Sequence, residues 1–221
     1  MRLCRYRQKG SAEIGFYDEQ HVVSLSLAAH LYAHATDTQL KLPSGDQMTA
    51  YLACGSAYPE TRALWHWVQE SHDQLDDAII AVDEVELLVP IAQPKKLFLL
   101  AGNYAKHIEE RGGTAAERTE TFPYVFMKPP STTLNDPGKP FVIPAISPAA
   151  LDWELELGVI IGARAKGITE DEALSHVAGY TVINDISNRK FRPNPDRRKR
   201  ERDTFFDWQH GKWFDGSCPC G

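Results

Sequence analysis

The stretch from Leu151 to Gly162, LDWELELGVIIG, restricts this chain more than any other. Apolar Trp153, Leu155, Leu157 and Val159 alternate with Glu154 and Glu156, and β-branched residues follow, so the stretch reads as a β-strand. Residues two apart in a strand share a face, with Cα atoms roughly 7 Å apart. Glu154 and Glu156 therefore stand side by side, opposite the hydrophobic residues. After Glu156 the sequence turns apolar on both faces, which predicts a strand running into a covered core. Two carboxylates at the mouth of such a strand repel each other and lose hydration. A hard divalent cation relieves both costs, because both side chains ligate it through oxygen. A wet strand edge carrying two solvated glutamates has the same pattern, and the rest of the chain has to decide between the two.

At 221 residues and 43% hydrophobic, the chain is long enough for one sizeable core, or a core with a small lobe. Its net charge of −6 argues against a general nucleic-acid or membrane-surface role. No apolar run approaches a membrane span, and the basic N-terminus MRLCRYRQKG is followed by no apolar segment of a secretory signal. Cys4, Cys54, Cys218 and Cys220 are too scattered for a disulfide framework, and Cys218-Pro219-Cys220 is too tight for a zinc site. These features predict a reducing, cytoplasmic setting.

Residues 1–92 read as a small α+β lobe. Short strands are expected at Arg2–Tyr6, Glu13–Tyr17, His21–Leu25 and Val85–Val89, with helical spacing over Ala63, Leu64, Trp67, Val68 and Leu75. His21, His30, His34, His66 and His72 share no ligand spacing and are expected at the surface or its boundary. Pro90–Pro94 is a candidate junction to a second unit, 93–221. There Lys96–Tyr104 reads as a strand ending in a Gly-Asn turn, and Ala105–Arg111 as a short polar segment closed by Gly112-Gly113. His107 and Glu110 lie three apart, on one face of a helix, where a glutamate orients an imidazole and raises its basicity. Gly113–Thr121 has the polar composition of a lid.

Further strands are expected at Tyr124–Met127, Phe141–Ile143 and Gly179–Ile186, the last containing Asp185. Thr169–Glu172 is a capping box before a short helix. Arg189–Arg202 is strongly basic, and in an acidic chain it reads as a solvated loop with one or two arginines turned inward toward an anionic ligand. Lys212–Gly221 reads as a strand anchored by Trp213 and Phe214.

The ordered motifs Gly102-Asn103-Tyr104 with His107 and Glu110, Phe126-Met127-Lys128-Pro129, Glu154-Leu155-Glu156-Leu157-Gly158, Gly179-Tyr180 leading to Asp185, and Lys212 before Cys218-Pro219 resemble the fumarylacetoacetate hydrolase family. The resemblance runs from about Leu97 onward. It implies an α+β, mostly β chain with a β-roll catalytic core after the N-terminal lobe. It further implies Glu154, Glu156 and Asp185 as ligands of magnesium or manganese. His107 and Glu110 would be the water-activating dyad, and Lys212 a stabiliser of developing negative charge. Arg189 matches a substrate-contacting arginine of some members, and Lys128 lies near the site in the family. Family members continue past the Cys-Pro segment, so the natural protein is expected to extend beyond Gly221 and to work as a homodimer.

Three carboxylates without histidine or cysteine suit magnesium, manganese or calcium better than zinc. A 2-oxo acid or diketo acid presents two oxygens to such an ion. The first reading is therefore a metal-dependent hydrolase cleaving a C–C bond in a diketo or acylpyruvate-type acid. Isomerisation or decarboxylation of 2-oxo acids at the same site is the alternative, and a non-catalytic fragment or interaction subunit is the alternative of another class.

Overall fold

The computed structural model describes residues 1–110, 112, 120 and 122–221, and at 107 and 110 the backbone alone. The lid expected over Gly113–Thr121 lies outside the described residues, Glu120 aside, and so do the side chains of the expected His107–Glu110 dyad.

The N-terminal part is an antiparallel sheet faced by two helices. Strands β1 (Leu3–Gln8), β2 (Ser11–Tyr17), β3 (His21–Ser24), β4 (Ile79–Ala81) and β5 (Glu86–Leu88) assemble in the order β4-β3-β2-β1-β5. Helix α1 (Leu25–Thr36) follows β3 directly, and α2 (Tyr58–Glu70) lies beside it. Ile14, Phe16, Leu25, Leu64, Val68 and Leu75 form the buried centre. The expected strand to Leu25 stops one residue early. Ser24 accepts the Leu27 N–H and caps α1, a helix the apolar run had concealed. Its last turn ends at Asp37, in the left-handed region at φ 52°. The five histidines named above are all outside the core, as expected.

From residue 98 onward the chain forms paired strands with short helices between them. Strands β6 (Phe98–Ala101) and β7 (Tyr124–Met127) pair antiparallel, and α3 (Ala105–Glu110) follows the turn at Gly102, whose φ of +73° suits glycine. Next come α4 (Pro130–Thr133), β8 (Leu134–Asn135), β9 (Leu151–Asp152), β10 (Leu155–Ile161) and α5 (Glu170–Ala173). They are followed by β11 (Val177–Asn184), β12 (Ser187–Asn188), α6 (Asp203–His210) and β13 (Cys218–Pro219). The capping box at the start of α5 is formed in both directions between Thr169 and Glu172.

Several expectations are corrected. The strand expected over Leu151–Gly162 is two, β9 and β10, broken at Trp153-Glu154. The segment Phe141–Ile143 is not a strand: it lies between Pro140 and Pro144, makes no ladder among the described residues, and leaves Val142 80% exposed. The tail is not a strand from Lys212: Cys218–Pro219 pairs parallel to β8, and Cys220 makes an antiparallel bridge to Ile183 of β11. Asp185 lies just past the end of β11 rather than within it. The loop expected over Arg189–Arg202 is followed directly by α6, which begins at Asp203.

The largest correction concerns β10. Its two faces are not both covered. Leu155, Leu157 and Val159 are 64%, 63% and 50% exposed, whereas Glu154, Glu156 and Gly158 face inward. The apolar residues of β10 thus look outward and the glutamates look in. The opposing strand continues that outer surface: Val182 lies opposite Leu157 and Tyr180 opposite Val159, both exposed. No helix of the described residues is long and apolar enough to cross a membrane.

A carboxylate and lysine cluster as candidate active site

A backbone bond and an asparagine side chain bring the carboxylates together. The Asp185 N–H donates to the Glu154 carbonyl at 2.8 Å, and the Glu154 N–H to the Asn184 side chain at 3.1 Å. Glu154 is thereby pinned across from Asp185 although it lies outside β10. Glu156 follows on the same inward face, opposite Ile183 of β11.

Two buried ammonium groups meet at Asp185. Lys128 donates to its Oδ1 at 2.8 Å and to the Ile186 carbonyl at 3.1 Å. Lys212 donates to its Oδ2 at 2.7 Å, to Glu154 Oε2 at 3.0 Å and to Ser187 Oγ at 2.6 Å. The rings of Phe126 and Trp208 flank the Lys212 ammonium at 5.1 and 5.6 Å, a cation–π setting. Gly211 makes this approach possible. Its backbone lies against the Asn188 carbonyl, 2.6 Å from where a Cβ would stand, and the Asn188 N–H donates to the Gly211 carbonyl. Arg189 completes the cluster. It pairs with Glu154 Oε1 and with Asp152 Oδ2, each at 2.8 Å, and so faces carboxylates.

Burial shapes the electrostatics. Desolvation lowers the Lys128 pKa from its ordinary value, opposed by the charge and hydrogen bond of Asp185. Burial raises the Glu156 carboxyl above the usual range, opposed by the Tyr104 hydroxyl and reinforced by the charges of Asp185 and Glu154. Lys212 favours the ionised Glu156 from a distance but spends its hydrogen bonds on Asp185, Glu154 and Ser187. Among the described residues Glu156 forms no ion pair with a lysine or arginine. Cys218 is buried nearby, its thiol pushed up to about 12 by burial.

The residues named from the sequence are therefore brought together in part. Glu154, Glu156, Asp185, Lys128, Lys212 and Arg189 form one cluster. The three carboxylates do not converge on a point, and no group of three His, Cys, Asp or Glu among the described residues is arranged to hold a metal as it stands. The Lys212 ammonium bridges two of them instead. The donor set still suits a hard cation. Each carboxylate offers about four lone-pair positions, of which the lysines and arginine use only some, and burial together with the charges of Asp185 and Glu154 presses Glu156 toward protonation, a cost that a cation would relieve. The sequence reading missed Ser187, Asp152 and the side-chain role of Tyr104; a motif carried Tyr104, but its contacts are tertiary.

Comparison with known proteins agrees with this architecture. The sequence profile of the fumarylacetoacetate (FAA) hydrolase C-terminal region matches residues 96–221. The mitochondrial oxaloacetate tautomerase fahd2 of Xenopus laevis is 34% identical over 143 residues, 65% of this chain and 40% of its own length. The oxaloacetate tautomerase YisK of Bacillus subtilis (strain 168) is 34% identical over 161 residues, 72% and 49% respectively. This chain thus spans half or less of the length of these curated relatives. A fumarylacetoacetate hydrolase structure from Exiguobacterium antarcticum superposes with TM-score 0.65 at 24% identity, over 99% of this chain and 64% of that one. The maleylpyruvate hydrolase from Sphingobium sp. SYK-6, in complex with manganese(II) ion and pyruvate, gives 0.62 at 20%, over 100% and 65%. The fold is the α+β, mostly β architecture that the motifs imply, and the chain belongs to the fumarylacetoacetate hydrolase family.

Proposed function

We propose that this chain carries the site of a divalent-metal-dependent enzyme acting on 2-oxo or diketo acids, with Glu154, Glu156 and Asp185 as the groups that hold magnesium or manganese. The observation that carries this reading is the gathering of three inward carboxylates around two buried ammonium groups, at the mouth of a strand pair whose apolar face points outward. Such an arrangement opposes the ordinary segregation of side chains, and its retention argues for chemistry rather than stability. When bound, the cation supplies Lewis-acid polarisation of the acid's carbonyl oxygens. The protein's own part is to neutralise the enolate charge that develops when a bond at the neighbouring carbon breaks. Lys212, held between Asp185 and Glu154, supplies positive charge for that step, and Lys128 fixes Asp185 from behind.

For C–C hydrolysis, His107 oriented by Glu110 takes a proton from water while the water oxygen bonds to the carbonyl carbon. The C–C bond then breaks with its electron pair moving into the enolate, and the proton is delivered to carbon. A second reading, keto–enol isomerisation of a 2-oxo dicarboxylic acid, is favoured by the 34% identity to two oxaloacetate tautomerases. It needs the same enolate stabilisation without the hydrolytic water. We further propose that the protein works as a homodimer.

A manganese-supplemented assay of acylpyruvate cleavage beside oxaloacetate keto–enol exchange separates the two. Hydrolysis predicts that His107→Ala stops cleavage by at least about 100-fold and leaves manganese affinity nearly unchanged, in the range for loss of a general base. Wild-type exchange of oxaloacetate without acylpyruvate cleavage selects the isomerase.

A further inference from the structure

Tyr104 stands between two parts of the site that the sequence leaves separate. Its carbonyl accepts the Ile108 N–H at 3.2 Å, the opening bond of α3, the helix that carries His107. Its side chain runs the other way, to β10. Val182, opposite Leu157, turns its N–H and carbonyl to Gly221, so Leu157 turns its own N–H to the far edge of β10. No strand pairs with that edge among the described residues. The Tyr104 hydroxyl takes the place of one: the Leu157 N–H donates to it at 3.3 Å, which sets the hydroxyl beside the neighbouring Glu156, whose carboxyl it pulls down and which in turn holds the phenol up.

A phenol has one proton to give. With the Leu157 N–H directed at its oxygen, the remaining favourable use of that proton is donation to Glu156. The hydroxyl therefore fixes which way this carboxylate points and favours its ionised form. Of the three carboxylates Glu156 most needs such an anchor, because Glu154 and Asp185 are already gripped by lysine and arginine. We propose that Tyr104 is a positioning residue: its hydroxyl orients Glu156 for a divalent cation and ties the root of the His107 helix to the strand that bears that carboxylate. This rests on the metal-site reading above.

Manganese binding to the full chain, followed by loss of the free-ion electron paramagnetic resonance signal, tests it without reference to turnover. Three proteins are compared: wild type, Tyr104→Phe, which keeps the ring and loses the hydroxyl, and Glu156→Gln. The expected result is binding by wild type, loss in Glu156→Gln, and affinity roughly tenfold or more weaker in Tyr104→Phe, the usual cost of removing a group that orients a ligand. The metal-free melting temperature of Tyr104→Phe should match wild type. Unchanged manganese affinity in Tyr104→Phe, with loss in Glu156→Gln, overturns the role of Tyr104 and leaves the metal site standing. A parallel fall in melting temperature and affinity assigns the hydroxyl to folding and also overturns it. Equal binding by wild type and Glu156→Gln, or none by wild type, removes the metal site and this inference with it.

Discussion

Among the described residues, Glu156 differs from its neighbours in having no lysine or arginine paired with it. Asp185 shares two ammonium groups and Glu154 an ammonium and a guanidinium, whereas Glu156 has a phenol. Burial and the two neighbouring carboxylates raise its pKa above the ordinary 4.5, against the pull of the Tyr104 hydrogen bond. Between 4.5 and that raised value the folded chain binds more protons at this position than the unfolded chain does. The contribution of Glu156 to stability is therefore fully present below pH 4.5 and is lost as pH rises through the raised value. On the metal-site reading, an ionised Glu156 is a cost carried for that role. Glu156→Gln keeps the shape and a hydrogen-bond acceptor for Tyr104 but removes the charge. In metal-free buffer the variant should melt higher than wild type at pH 7, and the gap should close as pH is lowered toward 4.5. Thermal melts across pH 4.5–7.5 with chelator check this; a Glu156→Gln protein that melts lower throughout would show that the carboxylate stabilises the fold.

At the scale of elements, the strap between Arg189 and α6 has a composition unlike the rest. Residues 190–202 hold seven basic and two acidic side chains, a net of +5 in a chain of net −6. Arg189, immediately before the strap, pairs with Glu154, and the helix after it leads to Lys212 on Asp185. A positive segment rooted at both ends in the site attracts anions toward it, and such fields raise association rates by roughly 10 to 1,000-fold at low salt. For a dianionic substrate, kcat/KM should fall as ionic strength rises past the point where screening reaches about 8 Å. Reversing Arg197, Arg198 and Lys199 to glutamate should lower kcat/KM by about tenfold at low salt, flatten that salt dependence and leave kcat unchanged; a salt dependence identical to wild type would assign the strap to solubility alone. The same segment shows where sequence reading stops. Alternation located β10, and a capping box located α5, because each signal lies within a few residues. Alternation does not say which face is covered, so the outward turn of Leu155, Leu157 and Val159 was not legible. Lys128 and Asp185 are 57 residues apart, and no local spacing announces their bond. The aromatic residues of α6 were masked by the basic run before them, and Ser24, the cap of α1, was the one local mark of a helix otherwise lost in an apolar stretch.

The molecule as a whole leaves one sheet with its faces reversed. Leu155, Leu157, Val159 and Ile161 of β10 stand exposed beside Tyr180 and Val182 of β11, a contiguous apolar surface backed by the carboxylate cluster. Covering a large apolar side chain is worth about 1.5–3 kcal/mol, so six of them left in water are a strong incentive to associate. In symmetric pairs the same patch serves both partners. A two-fold contact here would also place the back of each β10 under load from its partner, stiffening the strand that presents Glu154 and Glu156. The expected outcome is a dimer in solution that a charged pair in this face dissociates. Leu157→Lys with Val182→Glu suits the test, because the two positions are opposite on the ladder and the new side chains attract one another within the sheet. Sedimentation velocity should show the dimer dissociation constant rising by at least about tenfold, the equivalent of 1.4 kcal/mol. Far-ultraviolet circular dichroism should remain that of wild type. An unchanged sedimentation coefficient over the same concentrations would assign this face to another contact and leave the proposed homodimer without an interface.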